Sequence, residues 1–533
     1  MSNPFKSREI AARLVVMGNL ELVTPAHLGN GDAESITAMP LLRDRVTGGP
    51  LLTGTSIAGA LRGYLHSYER GYGRRPENGR DNATLAVRLF GSLKGDDQGE
   101  QSPLIVDDAR GTFPADDHIE VRDGVKIDYA TRTADDKKKY DLELLPAGTT
   151  FRLCFALLLP ANEDRAEELR LALALALHGL MADTHGYGAM TLGARRSRGF
   201  GRCRVAQWQL QHYNLRDTEG LLAWLAANHA DWGLRPTAVW TGAAAAVLGE
   251  NVALPEDRIQ DARRRFQIHA VFDLDSAILV RTTDPLTATG EQPDVAHLRS
   301  YRPEDPRRTV PILPGTSLAG ALRGRATRIL NTLWAPRPSE PAAPQSTTLL
   351  DAMFGIDMHR ERRHDKQATP TASRLFVEET PITGGQALVQ NRVAIDRFTG
   401  GAYDTALFAE APQIGGDVAL RLTLRLDALS DDKQTRDAQT HFQQAQIGLL
   451  LLLLKDLWTG DLPLGGTSSI GRGRLNGRWA ELTADTGDVW CLTASRNTSD
   501  PEAQRTQITV VPDSTRLEDY VRALDKYLKE EQA

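Results

Sequence analysis

Apolar and polar residues alternate from Arg13 to Leu22 (RLVVMGNLEL) and again from Gln267 to Val280 (QIHAVFDLDSAILV), the period of a strand with one buried face. Each run is followed by a long irregular segment and then by a glycine turn that opens a helix, GTSIAGALRGYLHSY in the first case and GTSLAGALRGRATRIL in the second. Strand-like runs come next, at 149–159 (TTFRLCFALLL) and 417–426 (DVALRLTLRL). Long apolar helices follow, RAEELRLALALALHGLM and FQQAQIGLLLLLLKDLW, then a glycine-rich loop and a closing strand, RCRVAQWQL or RLNGRWAEL. The order strand–helix–strands–helix–strand predicts the α+β class, an antiparallel sandwich of ferredoxin-like type with insertions, present twice.

The duplication is visible residue by residue. TGTSIAGALRG at 53–63 and PGTSLAGALRG at 314–324 agree at nine of eleven positions. In the same order, LFG at 89–91 answers MFG at 353–355, and LIVDDA at 104–109 answers LFVEET at 375–380. VKIDYAT at 125–131 answers VAIDRFT at 393–399, and LGARRSRGFGR at 192–202 answers LGGTSSIGRGR at 464–474. The offset drifts only from 261 to 272, the size of loop insertions, so the chain reads as two homologous domains, 8–212 and 265–485. Between them, 213–264 reads as a helical connector. A C-terminal extension, 486–533, closes on a helix whose apolar positions (Leu517, Tyr520, Val521, Leu524, Tyr527, Leu528) dock one face.

Composition narrows the class. The 533 residues are 41% hydrophobic and 25% charged, which is globular, and the net charge of −6 excludes a uniformly basic nucleic-acid coat but not a local basic groove. Three scattered cysteines with no CxxC exclude a disulfide framework. The N-terminal stretch lacks the apolar core of a signal peptide, and the Leu449–Leu454 run is too short to span a bilayer, so a cytoplasmic protein without a membrane partner is expected.

Two motifs carry chemistry. In Gly-Thr-Ser, Ser56 and Ser317 read as N-caps of helices whose free N–H groups suit a phosphate, with Arg62 and Arg323 about two turns along. No Walker lysine follows, so a nucleotide-hydrolysing P-loop is not supported. The glycine-rich loop combines glycines, which let a backbone approach a phosphate chain, with Arg195, Arg196, Arg198 and Arg202; the second copy keeps Arg474, with Arg472 shifted by one. An extended sugar-phosphate ligand fits this better than a small metabolite. Plain capping and solvated basic turns are the competing readings.

In these three segments, "GTSLAGALR", "VAIDRFT" and "LGG…GRGR", each half resembles the RAMP superfamily of CRISPR systems, most of all the backbone subunit of type III (Csm/Cmr-like) effector complexes. The lysine usual in the first motif is Ala58 and Ala319 here. The two-copy chain resembles the fused backbone proteins of type III-D-like systems. The resemblance implies an RRM-related sheet with an inserted thumb hairpin, here after Asp128 and after Asp396, with Lys137, Lys138 and Lys139 near phosphates. It also implies a guide (crRNA) partner, a complementary target RNA and sibling effector subunits.

The resemblance further implies cleavage of target RNA by an acid in the loop before the glycine-turn helix, with a divalent metal, Mg2+, as cofactor. RNA brings its own nucleophile, the 2′-hydroxyl, so one carboxylate per site suffices. Asp294 matches in the second half, with His297 to assist and Arg299 or Arg302 to hold phosphate. In the first half the matching position is Ala38, whereas Asp32, with Glu34 beside it, has nearly the spacing of Asp294. Three functions stand: a backbone subunit that is a target-RNA endoribonuclease, a catalytically inactive crRNA scaffold, and a small-molecule enzyme holding a nucleotide in its glycine loops.

Overall fold

The computed structural model describes residues 9–31, 39–74, 84–92, 100–114, 119–128, 131, 133–183, 186–227, 238–240, 260–282, 293–334, 344–356, 370–495 and 507–530. The first half runs β1 (Ile10–Leu22), β2 (Leu51–Leu52), α1 (Gly54–Arg70), α2 (Leu85–Phe90), β3 (Leu104–Val106), β4 (Ala109–Thr112), β5 (Glu120–Ile127), β6 (Ala134–Leu144), β7 (Thr150–Pro160), α3 (Glu163–His178) and β8 (Cys203–Asn214). The alternation seen in the sequence places β1 at the centre. It pairs antiparallel with β7 on one side (Val16 opposite Phe155) and with β8 on the other (Val15 opposite Gln211). The order β8–β1–β7–β4, with α1 and α3 as crossovers, is compatible with a split βαβ sandwich. The Ala/Leu repeat of α3 buries Leu169, Leu173 and Leu177 under the sheet, in one apolar cluster with Leu61 of α1 and Trp208 of β8.

Among its described residues the connector contains α4 (Thr218–Ala226) and then β9 (Ala238–Trp240), which adds an edge strand to β8, so it is not helical throughout. Trp224 of α4 covers the other face of the sheet, edge-on to Tyr213 and beneath Arg13.

The second half repeats the plan. β10 (Arg264–Leu274) leads to β11 (Arg281–Thr282), β12 (Val295–His297), β13 (Arg299–Arg302), β14 (Asp305–Leu313), α5 (Gly315–Trp334), α6 (Pro344–Phe354), β15 (Leu375–Val377), β16 (Thr380–Thr383) and β17 (Gln386–Ala387). Then come β18 (Gln390–Ile395), β19 (Ala402–Ala411), β20 (Gln413–Ile414), β21 (Asp417–Leu426), α7 (Lys433–Trp458) and β22 (Leu475–Thr483). Here β10 is central, between β21 and β22. The sheet does not stop at 485: β23 (Val489–Ser495) and β24 (Gln507–Val511) extend it, and α8 (Thr515–Glu530) buries Leu517, Tyr520, Leu524 and Leu528 in the same core. Gly448 of α7 allows this approach, because a Cβ there would lie 2.2 Å from the Tyr520 carbonyl oxygen. The C-terminal segment therefore belongs to the second core. Among the described residues no helix is long and apolar enough to cross a membrane.

Each half has its own apolar cluster, one drawn from residues between 12 and 210 and the other from residues between 266 and 528. The halves meet through polar side chains and short backbone bonds, such as Ala428 N–H to Tyr72 O at 2.8 Å.

Candidate nucleic-acid interface

The glycine-turn helices begin one turn earlier than their serines suggest. Thr53 is the N-cap of α1, its hydroxyl accepting from Ser56 N–H at 3.3 Å, so Ser56 sits inside the first turn. The Gly54 N–H donates to Asp108 at 2.7 Å, which places a carboxylate at this helix start. In the second half α5 starts at Gly315 after Pro314, and Ser317 again lies within the turn. The repeated arginines hold protein, not solvent. Arg62 donates to the Gly91 carbonyl at 3.0 Å, and Arg323 to the Gly355 carbonyl at 2.8 Å and to Asp351 at 2.9 Å. Each latches the C-terminus of the short following helix, and burial pulls the Arg62 pKa below its ordinary value. The twofold recurrence of this arginine thus has a structural cause.

The two glycine loops share one backbone. Gly193, Gly199 and Gly201 have φ of 83°, 88° and 71°; Gly465, Gly471 and Gly473 have 80°, 86° and 78°. Arg195 (55°) and Thr467 (60°) both take the left-handed conformation just before a 3-10 turn, Arg196–Arg198 or Ser468–Ile470. The side chains differ in use. Arg195 stacks on the Tyr140 ring of β6 and donates to its hydroxyl. Arg198 crosses to the second half, donating to Ser373 Oγ (3.2 Å), Leu375 O (3.2 Å) and Phe354 O (3.0 Å). Burial, with Arg323 and Arg195 adding to it, lowers its pKa to about 10. Arg202 pairs with Glu378, also across the joint, and stacks on Tyr187. Arg196 is exposed. In the second loop Arg472 is buried, 2.6 Å from Glu410 and 2.8 Å from Gln390, while Arg474 is exposed.

Two hairpins, β5–β6 and β18–β19, occupy the thumb region, but each begins before its aspartate and not after it, so the V-x-I-D segment is the ascending strand. Asp128 and Asp396, ending the V-x-I-D segments, cap the hairpin tips: Asp128 accepts from Thr131 N–H at 2.9 Å, and Asp396 from Phe398 N–H at 2.7 Å. The second hairpin presents apolar side chains to solvent. Phe398 is 100% exposed, Leu407 70% and Ile395 64%. Such a surface costs free energy in water unless something stacks on it. On the first hairpin Val125 and Ile127 are exposed, and Lys139 lies 3.6 Å from Asp123; the side chains of Lys137 and Lys138 fall outside the described residues.

At its base the first hairpin is bound to the second half. Arg122 of β5, 5% exposed, pairs with Glu120 and Glu379 and donates to Ser300 at 2.9 Å. Arg302 reaches the same Glu379 at 2.8 Å. Burial alone would raise the Glu379 pKa; Arg122 and Arg302 outweigh it and hold it below the usual carboxylate value. Glu120, with Glu379 as a like charge beside it, is pushed up, burial being the larger cause.

Asp294 is exposed at the foot of the second hairpin, where it accepts from Ala409 N–H of β19 at 2.7 Å. Next to it Val295 pairs in parallel with Glu410, and Arg472 joins Glu410 to the glycine loop, so acid, hairpin and loop converge. The same parallel bridge in the first half joins Met39 to Leu142. The residue that precedes Met39 in the sequence is Ala38, so the register gives Asp294 an alanine as its counterpart. Asp32, Glu34 and Ala38 themselves lie outside the described residues. His297 does not assist Asp294. It is buried, its Nδ1 accepts from Val280 N–H at 3.1 Å, and Nε2–H donates to Ile312 O at 2.9 Å. Burial lowers its pKa to about 4 despite the bond to Ile312, so it stays neutral. Arg299 is used within the sheet on Thr309, and Arg302 on Glu379.

Among the described residues no three His, Cys, Asp or Glu side chains gather as metal ligands. Asp294 offers a single exposed carboxylate, which fits Mg2+ only where phosphates and water complete the shell.

Sequence reasoning missed Arg122 and Glu379, which look like ordinary surface charges in a linear reading. It also missed Phe398, whose signal was present as an aromatic residue inside a hairpin turn, RFTGG. The glycine loops leave little room for a bound nucleotide, since Arg195, Arg198, Arg202 and Arg472 are already held by protein groups.

A family model described as RAMPs, RAMP superfamily, matches residues 19–204 and 294–476, one stretch in each half. No curated protein matches the chain.

Proposed function

This chain belongs to the RAMP superfamily, a CRISPR-associated RNA-binding lineage, and from that premise we propose that it is a guide-RNA-binding backbone subunit of a type III CRISPR effector complex. On this reading the two halves are a fused pair of backbone domains, and the second cuts complementary target RNA. The carrying observation is the second hairpin, with an apolar tip at Phe398 and, at its foot, the exposed Asp294 fixed by Ala409 beside the glycine loop that Arg472 ties to Glu410. A hairpin wedged into the RNA splays stacked bases along its length and bends the backbone where the strand passes its foot, beside Asp294. There the 2′-hydroxyl attacks the adjacent phosphorus in line, its proton passes to Asp294 or through it to water, and the 5′-oxygen of the next nucleotide leaves, taking a proton from water. The products are a 2′,3′-cyclic phosphate and a free 5′-hydroxyl. Mg2+, held by Asp294 and the RNA phosphates, would supply charge stabilisation of the pentavalent phosphorus.

The experiment is target cleavage by the assembled complex carrying Asp294→Ala. The reading expects one cut to vanish with guide binding retained, and a target bearing a 2′-deoxy residue at that position to resist. An unchanged cleavage pattern would reduce the chain to a scaffold. That second reading is favoured in the first half, where Ala38 stands at the register of Asp294. Asp32→Ala then tests whether a second, displaced cut exists.

A further inference from the structure

The joint between the halves is a plug in a socket. The plug is the first glycine loop. Arg198 enters a pocket made of Ser373 Oγ, Leu375 O and Phe354 O, while Arg202 and Arg122 neutralise the acidic pair Glu378–Glu379 at its rim. Gly315 marks how close the fit is, since a Cβ there would lie 2.4 Å from both Arg198 O and Val377 O.

The socket exists a second time. By the repeat, Ser373, Leu375, Phe354 and Glu378–Glu379 correspond to Ser102, Leu104, Phe90 and Asp107–Asp108. The geometry is reproduced. Ser373 Oγ lies 2.9 Å from Met353 O and 2.8 Å from Leu375 O; Ser102 Oγ lies 3.0 Å from Leu89 O and 2.8 Å from Leu104 O. Arg62 latches Gly91 as Arg323 latches Gly355. At Gly54 a Cβ would meet Val106 O at 2.3 Å, the counterpart of Val377 O, but its three nearest neighbours all come from the 106–107 segment and none from a docked loop. Among the described residues no guanidinium enters this pocket, and Asp107 and Asp108 are exposed where Glu378 and Glu379 are paired.

The plug, by contrast, is not repeated. The second glycine loop has the same backbone, yet Ile470, 55% exposed, stands where Arg198 does, and Gln390 stands where Arg122 does. Of the joint's three arginines only Arg202 has a cationic counterpart, Arg474. An isoleucine driven into a pocket of carbonyl and hydroxyl oxygens would strip their remaining water and offer no donor in return, at a cost that an arginine avoids.

We infer that the face around Phe90, Ser102, Leu104 and Asp107 is a docking socket for a separate protein that carries an arginine-bearing glycine loop of the 193–202 kind, and that the chain's own second half is excluded from it. The chain is then one-sided. It accepts an arginine plug at its first half and presents a different, apolar plug at its second, so copies of it do not chain head to tail. This holds whatever RNA the chain binds.

The test supplies the missing plug on the chain itself. Sedimentation velocity on RNA-free full chain reads any association that Asp107→Lys abolishes. Wild type is expected to show none. The triple variant Thr467→Arg/Ser468→Arg/Ile470→Arg rebuilds the arginine loop and is expected to self-associate at least tenfold more tightly, with Asp107→Lys in the same chain reversing the gain. Wild type that assembles through an Asp107-sensitive contact would overturn the inference. So would a triple variant that keeps the wild-type melting temperature and shows no Asp107-sensitive association.

Discussion

Arg122 on the first hairpin and Glu379 on the second half's sheet are ion-paired across 257 residues of sequence, with both side chains sealed from water. A buried pair adds little over an apolar one, but breaking it strands a charge. Arg122→Met should therefore destabilise the full chain by about 3–5 kcal/mol in denaturant unfolding. Glu379 still has Arg302 when Arg122 is lost, whereas Glu120 loses its cation, so Arg122→Met combined with Glu120→Gln should recover part of that loss. Equal losses in the single and double variants would show that the stranded charge is not the origin of the cost.

The joint also decides how separable the halves are. Their apolar clusters are distinct, so severing the connector at an inserted protease site between 214 and 260 should leave two folded fragments. Because Arg122, Arg198 and Arg202 hold them together, the fragments should still co-elute on gel filtration. Fragments that unfold on cleavage would contradict the two-core description. Fragments that part freely would contradict the joint.

The arginine loop divides its labour, and two variants separate the parts. Arg196→Ala should lower the slope of log affinity for guide-length RNA against log salt by about 0.7, one released phosphate contact, without changing the melting temperature. Arg198→Ala should do the reverse, lowering the melting temperature with little effect on the salt slope. Arg196→Ala with an unchanged slope would remove this loop from the RNA surface.

Much of this was legible in the chain. The alternation of β1 and β10 and the duplicated GTS-x-AGALRG pointed to the α+β plan, and the family resemblance to an inserted hairpin near each V-x-I-D segment, though its first strand lies before the aspartate and not after it. What spacing did not reveal is which arginines the protein itself uses. Arg62, Arg198 and Arg323 have the composition of phosphate ligands, but backbone carbonyls that end helices and strands bind a guanidinium equally well, and sequence spacing cannot tell the two apart. His297 misled for a similar reason. Its closeness to Asp294 in sequence does not survive the strand geometry, in which alternate residues face opposite sides. The apolar spacing marked α8 as a helix that docks one face, but nothing in the linear pattern marked β23 and β24 as strands of the second sheet, because the short β-ribbon there carries no repeat counterpart.

His297 gives a pH signature. Its folded pKa of about 4 lies below the ordinary value of 6.5, so the unfolded chain takes up its proton first, and stability is complete above 6.5 and lost as the pH falls toward 4. Between pH 7 and 5 wild type should lose about 2 kcal/mol that His297→Gln does not. Equal pH dependence in both proteins would mean that the histidine is not held neutral.

Phe398 should matter to RNA alone. Fully exposed at the hairpin tip, it touches no core, so Phe398→Ala should leave the melting temperature unchanged. Binding to guide-length RNA should weaken by about 1–3 kcal/mol, the worth of one base–aromatic stack, as read by filter binding at fixed salt. Unaltered binding would take the second hairpin off the RNA path.

The central claim is that a guide RNA is this chain's native ligand. Its most direct test is to isolate the protein from its host, under gentle salt, and sequence the RNA that comes with it. The account predicts a discrete RNA that begins or ends in CRISPR-repeat sequence, strongly reduced when Phe398→Ala and Arg196→Ala are combined. A heterogeneous pool with no repeat-derived species, or no RNA at all from the intact complex, would contradict it.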